Sequence, residues 1–260
     1  MLALSSVSLS YDTQPVLHGL SLDIRRGEFV CIIGGSGKSS LLKVMGGIEP
    51  PQEGQVLYDG VDIYHVFDRK YSEMQKASGF LFQDAALLAN LSIFENVALP
   101  LRYHCRMSEH EIRNRIFEVF DLLNISIRSD QRPAVFPLSI RKMVAFARAL
   151  VLKPEILFLD DPTGNVDHTA RETVIKTLLE MKCSSKIAGV IVSQDPDLIT
   201  LVSDRIIVLH DGSIIQDSTV EKVFNSSDER VRSIIDAMGG DSDSQAMHVR
   251  LERRDSKELP

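Results

Sequence analysis

Two short stretches carry residue types suited to handling phosphate. The first is Gly34-Gly35-Ser36-Gly37-Lys38-Ser39-Ser40, which follows the apolar run Val30-Cys31-Ile32-Ile33 and precedes a helical pattern. A strand, a glycine-rich turn and a helix start, in that order, aim backbone N–H groups and the positive end of a helix dipole at one point. In such a loop the lysine reaches the outer phosphates and the next hydroxyl faces a magnesium ion. The second stretch is Asp160-Asp161, which closes the apolar run Ile156-Leu157-Phe158-Leu159. A carboxylate at a strand end can hold magnesium through water, and a neighbour can serve as a base. Plainer readings stand beside both: Gly-Lys-Ser alone is weak evidence, and Asp-Asp is also a common strand-end turn.

The glycine loop departs from its pattern. In G-x-x-x-x-G-K-[ST], counting back from Gly37 puts the first glycine at 32, where the chain has Ile32, so the loop is two residues short. Either the strand gives up Ile32 and Ile33 to the loop, or the cradle of N–H groups is incomplete. Branched isoleucine suits a tight turn poorly. Lys38 still offers a charge-assisted contact. The expectation is weakened nucleotide binding.

The elements around these stretches alternate. Residues 2–10 alternate apolar and small polar side chains, as in a half-buried strand, and Val16 to Ile24 resumes the alternation. Phe29 to Ile33, Ile156 to Leu159 and Ile187 to Val192 are continuous apolar runs, which suit strands buried on both faces. Gly54 to Tyr58 is a strand with Asp59-Gly60 as a hairpin turn, and Arg205 to Leu209 pairs with Ser213 to Gln216 through Asp211-Gly212. Helices are predicted after the Gly34–Ser40 loop through about Met45, after the capping box Ser108-Glu109-His110-Glu111, and over about 139–152 and 169–182. Arg141-Lys142 read as part of a solvated helix face. Buried strands alternating with helices make an α/β core with a mainly parallel sheet, and the N-terminal strands add an antiparallel β layer. The largely helical stretch 84–150 has room to be a subdomain within a domain spanning 1–238. Residues 239–260, poor in large apolar side chains, read as a disordered tail.

Composition narrows the functions. A net charge of −7 and no dense basic run disfavour a nucleic-acid partner. No apolar run reaches the ~18 residues that span a membrane, and no signal peptide is legible. Cys31, Cys105 and Cys183 form no C-x-x-C pair and read as reduced, structural thiols, and the seven histidines lack metal-ligand spacing.

Taken in order, the motifs resemble those of the nucleotide-binding subunit of an ABC transporter, a P-loop NTPase fold, over about residues 2–225. Tyr11 matches the aromatic that stacks on adenine, and Gly34, Gly35, Ser36, Gly37, Lys38, Ser39 and Ser40 match Walker A. Gln83 matches the Q-loop glutamine that senses magnesium and touches the membrane subunit. Leu138-Ser139, with Ala147-Arg148-Ala149-Leu150 downstream, matches the signature region. Phe158 to Thr163 matches Walker B, Gly164 to Asp167 the D-loop, and Ser193-Gln194-Asp195 the switch. The resemblance implies ATP and Mg2+ as cofactors, with Ser39, Gln83 and Asp160 toward the metal. It also implies an integral-membrane permease subunit as partner, a dimer with a second copy or a paralogous ATPase subunit, and a cytoplasmic site on the inner face of the membrane. Phe82 to Leu88 and Phe94 to Arg102 look like the Mla/Mce-type lipid-transport ATPases. Pro162-Thr163-Gly164-Asn165-Val166-Asp167 looks more like the lipoprotein-release and FtsE-like group. The apolar cluster Leu87, Leu88, Leu91, Ile93 and Phe94 is either plain core or the face that meets the permease.

Against that family pattern the chain departs at four places. Walker A is two residues short. The two glycines after Leu138-Ser139 are missing, and Ile140 stands where they would let the helix approach a partner's γ-phosphate. Asp161, one methylene shorter, replaces the glutamate that polarises the attacking water. Gln194 replaces the switch histidine, and an amide can donate a hydrogen bond but cannot carry a proton. Together these imply an ATPase with low or no hydrolysis, and a structural or regulatory subunit is the competing reading.

Overall fold

The computed structural model describes residues 1–66, 68–184 and 187–239. The chain begins with a hairpin, β1 (Leu2–Tyr11) and β2 (Gln14–Ile24), and continues through β3 (Phe29–Gly34), α1 (Lys38–Met45), β4 (Glu53–Tyr58), β5 (Val61–Asp62), α2 (Asp68–Ala77) and β6 (Ser78–Leu81). Three helices follow, α3 (Ile93–His104), α4 (Glu109–Leu122) and α5 (Leu138–Leu150). The last part runs β7 (Ile156–Asp160), α6 (His168–Ser184), β8 (Ala188–Val192), α7 (Pro196–Val202), β9 (Arg205–His210), β10 (Ser213–Thr219), α8 (Val220–Phe224) and α9 (Glu229–Gly239).

Two sheets result. The larger has the order β10-β9-β3-β8-β7-β6, parallel from β9 to β6, with β10 antiparallel at one edge. The smaller is antiparallel, β2-β1-β4-β5, which is the N-terminal layer expected from the alternation. Its inward residues Leu2, Leu4, Val7, Leu20 and Ile24 share a core with Val30 and Ile32 of β3 and with Leu41, Leu42 and Met45 of α1. The opposite face of the large sheet packs on α3 to α6 through Leu157, Leu159, Phe146, Val174 and Leu178. Every residue of β7 and β8 is buried, which explains their unbroken apolar sequence.

This architecture places the chemistry at one end of the sheet. β3 and β7 are parallel to β8 on either side of it, so their C-terminal ends lie along the same edge. The loops after β3, β7 and β8 carry Gly35–Gly37, Asp161–Asp167 and Ser193–Asp195, so the topology gathers them. The tail expected over 239–260 lies outside the described residues, apart from Gly239 at the end of α9.

Candidate nucleotide site

The glycine turn is tight. β3 keeps Ile32 and Ile33, fully buried and paired with Ile207 and Val208 of β9, and runs on through Gly34. Only Gly35, Ser36 and Gly37 separate it from α1. Of the two ways to read the short loop, the strand therefore gives up nothing. Gly34 has φ +115°, and a β-carbon there would run into the Leu209 carbonyl. Gly37, at φ +95°, is the residue from which α1 starts, and its carbonyl accepts the Leu41 N–H at 2.8 Å. Both positions demand glycine. The Gly35 N–H is already spent on the Leu209 carbonyl at 2.9 Å, so the N–H groups left to an anion are those of Ser36, Gly37 and the first turn of α1.

Lys38 is folded over this turn. Its Nζ donates to the Gly34 carbonyl at 2.6 Å and also to that of Gly35. Burial lowers the Lys38 ammonium from its ordinary value, and the charge of Asp160 works the other way. Ser39, the next residue, lies close enough to Asp160 at the end of β7 for its hydroxyl to favour the ionised carboxylate. Burial raises the Asp160 carboxyl despite that neighbour, and the negative charge of Asp161 adds to the rise. Tyr11, at the end of β1, donates to Glu49 at 2.7 Å, and its hydroxyl lies 3.1 Å from that of Ser40. The structure thus brings Tyr11, Lys38, Ser39, Ser40 and Asp160 to one place.

The segment after β7 folds back on itself. Asp161 has a positive φ of 50°, unusual for a residue with a side chain. Its carboxylate lies where a β-carbon at Gly164 would stand. Asp167 caps α6 by accepting the Ala170 N–H at 2.9 Å, and Ser139 lies beside it. After β8, Gln194 is exposed, whereas Asp195 caps α7 and is held by the Arg171 guanidinium, with Nε donating at 2.7 Å. Gln83 is exposed on the loop that follows β6.

A model of the family described as "ABC transporter" matches residues 17–164. The chain belongs to the ABC transporter ATP-binding family. It is 33% identical over 85% of its length to a sulfate/thiosulfate import ATP-binding protein of Methylococcus capsulatus, of which it spans 63%. It is 28% identical, over 88% of its length and 86% of the relative's, to the intermembrane phospholipid transport ATP-binding protein MlaF of Haemophilus influenzae. The chain thus spans less than two thirds of some curated relatives and most of others. Among solved structures, the dimeric ATP-binding cassette MJ0796 in a post-hydrolysis state with ADP and Pi superposes at a TM-score of 0.79. That match has 30% identity and covers 85% of this chain and 99% of that one.

Of the family's motifs, Walker A, Walker B and the D-loop converge, and Tyr11 joins them. Gln83 and Gln194 stand exposed on their loops. The structure corrects one expectation outright. Lys142 is not on a solvated helix face: it is 1% exposed, and its Nζ donates to the Asp161 carbonyl at 2.8 Å and to the Gly164 carbonyl. Ile140, expected to obstruct the signature approach, is half-buried against the helical core. Three further residues, to which sequence reasoning gives no role, organise the site. Arg148 donates to the carbonyls of Ala85 and Ala86, two residues of positive φ in the Q-loop segment. Asn96, fully buried, accepts the Leu88 N–H at 2.8 Å and donates to the Leu88 and Ser92 carbonyls, shaping the turn before α3. Arg171 anchors the switch loop through Asp195. In the sequence only Arg148 leaves a trace, as part of Ala147-Arg148-Ala149-Leu150.

Proposed function

We propose that this chain is the ATP-binding subunit of an ABC transporter for phospholipid traffic, and that it binds nucleotide more readily than it cleaves it. The observation that carries the reading is the convergence of the Lys38 turn, the Ser39 hydroxyl and the Asp160 carboxylate at the same end of the sheet. A hydroxyl and a carboxylate are hard oxygen donors of the kind magnesium takes alongside substrate phosphates. Magnesium would neutralise charge on the phosphates. Lys38 would leave the Gly34 and Gly35 carbonyls for the outer phosphates, and the first turn of α1 would donate its N–H groups. Tyr11, 44% exposed, would offer its ring to adenine. Gln83 would face the metal and the permease.

Cleavage is where the chain is poorly equipped. Asp161 is the residue placed to act as base, but it is short, and its carboxylate lies 3.8 Å from the Lys142 ammonium. Gln194 would contact a γ-phosphate by its amide only. Ser139 would serve a partner's nucleotide, yet it lies beside Asp167 of the same chain. These features also favour the second reading, a structural or regulatory subunit that holds nucleotide without turnover.

The phospholipid assignment rests on the likeness to the MlaF relative, which extends over most of both chains, and on the stretches 82–88 and 94–102. Other relatives are named for sulfate, methionine and polyamine import. The motif 162–167 keeps the lipoprotein-release type as the third reading. A permease would meet the exposed Leu88, Leu99 and Tyr103, and two copies or a paralogue would complete the site. No described helix is long and apolar enough to cross a membrane, and attachment at its inner face would come through the permease. We take 1–238 as the ABC ATPase domain, with 84–150 as its helical subdomain. The test is ATP turnover with the permease encoded beside the gene. Turnover that vanishes in Lys38→Ala overturns the regulatory reading, and absence of ATP binding overturns both.

A further inference from the structure

α5 is fastened to the segment after β7 within one chain. Ser139, in its first turn, lies beside Asp167, and Lys142, one turn on, donates to the carbonyls of Asp161 and Gly164 and stands 3.8 Å from the Asp161 carboxylate. Lys142 is 1% exposed. An ammonium so placed is costly unless every proton finds an acceptor. Here three protons face two carbonyls and a carboxylate. Burial lowers the Lys142 ammonium, and the charges of Asp161 and Asp160 oppose that fall. A side chain needed only to fill space would be apolar.

The acceptors matter because of what they hold. Asp161 sits in the left-handed region at φ 50°, as the turn after β7 requires. Its carboxylate is fitted over Gly164, where any β-carbon would displace it. The Lys142 ammonium ties together the carbonyls at the two ends of that turn.

We propose that Lys142 is a positioning residue, a buried clamp that locks the 161–164 turn to α5 and so sets where the Asp161 carboxylate stands toward nucleotide at the Lys38 turn. The last clause rests on the nucleotide-binding reading above. The clamp makes the first turn of α5 and the segment 161–167 one unit. Whatever touches Ser139 is therefore felt at Asp161.

The experiment compares the full chain with Lys142→Met, which keeps the length and loses the donors, and Lys142→Arg, which keeps charge and donors. Folding is checked by circular dichroism, and Lys142→Leu, which also lacks donors, replaces the Met variant if the latter does not fold. Two readouts are taken: amide exchange across 161–167, and the affinities for ATP and ADP measured by displacement of a fluorescent nucleotide. The clamp predicts about 10-fold faster exchange at 161–167 in Lys142→Met, with β7 and β8 unchanged and Lys142→Arg near wild type. It also predicts an ATP-over-ADP preference lowered about 5-fold in the Met variant, with ADP affinity held. Wild-type exchange in the Met variant, or an Arg variant as loose as the Met variant, overturns the clamp. An unmoved ATP-over-ADP preference overturns its link to Asp161. If none of the proteins binds nucleotide, the nucleotide-binding reading fails, and the exchange data still decide the clamp.

Discussion

The carboxylate of Asp161 occupies the space that a side chain at Gly164 would need. Two residues of one turn thus define each other: the glycine admits the carboxylate, and the carboxylate fills the space the glycine leaves. Replacing Gly164 by Ala should push the Asp161 side chain out of place. Because the displaced group is a short, half-exposed side chain, the stability cost should be small, about 1 kcal/mol or less. Thermal melting of Gly164→Ala checks the first point. A further fall in any residual ATP cleavage, with ATP affinity retained, checks the second.

Lys38 spends its protons on the carbonyls of its own turn. Lys38→Ala should leave the fold intact and weaken ATP binding by about 10- to 100-fold, the worth of about 1.5–3 kcal/mol for hydrogen bonds to a charged group. Titration with a fluorescent ATP analogue measures it. Unchanged affinity would mean that the turn is not the phosphate site.

The Arg171–Asp195 pair should show in acid. Burial alone would raise the Asp195 carboxyl, but the hydrogen bonds and charge of Arg171 outweigh it and leave the carboxyl below its ordinary value. A carboxyl depressed in the folded state contributes stability above its unfolded pKa of about 3.9, and that contribution is lost as pH falls through the folded value. Arg171→Met should therefore cost about 1–3 kcal/mol at pH 7. The gap from wild type should narrow below about pH 4. Urea unfolding at both pH values tests it.

Cys31 is fully buried in β3, and burial pushes its thiol up to about 12. Cys183 is exposed. Iodoacetamide at neutral pH should modify Cys183 in the native protein and reach Cys31 only after denaturation. Peptide mass spectrometry reads the order directly.

How far these features could be read in the sequence depends on where their partners lie. β3, β7 and β8 are legible because a strand buried on both faces has no polar residue to interrupt it, and Gly37-Lys38 marks the helix start locally. The hairpin at Asp59-Gly60 is legible because its geometry is carried by two adjacent residues, both of positive φ. Lys142 is misread because a lysine on a helix ordinarily faces water. Its acceptors are backbone carbonyls 19 and 22 residues away, which no side-chain pattern announces. Arg148 and Asn96 escape notice for the same reason, since both serve the backbone of a loop. The helix α2 has only Tyr71 and Met74 as large apolar residues, a sparse pattern, and the strand β6 is four residues long and contains a glycine, so neither stands out in the sequence. The closeness of Ser139 to Asp167 depends on how α5 enters after Pro137, which is a tertiary fact.

Whether the chain holds ATP but is poorly built to cleave it is decided by single-turnover cleavage in the permease complex, with protein in excess over ATP. Wild type is compared with a protein repaired by two residues inserted between Gly34 and Gly37, two glycines after Ser139, Asp161→Glu and Gln194→His. Wild type should retain bound ATP largely intact while the repaired protein cleaves it about 10²-fold faster or more, the scale set by a misplaced base. Wild type cleaving ATP as fast as the repaired protein, with cleavage lost in Lys38→Ala, would contradict that reading.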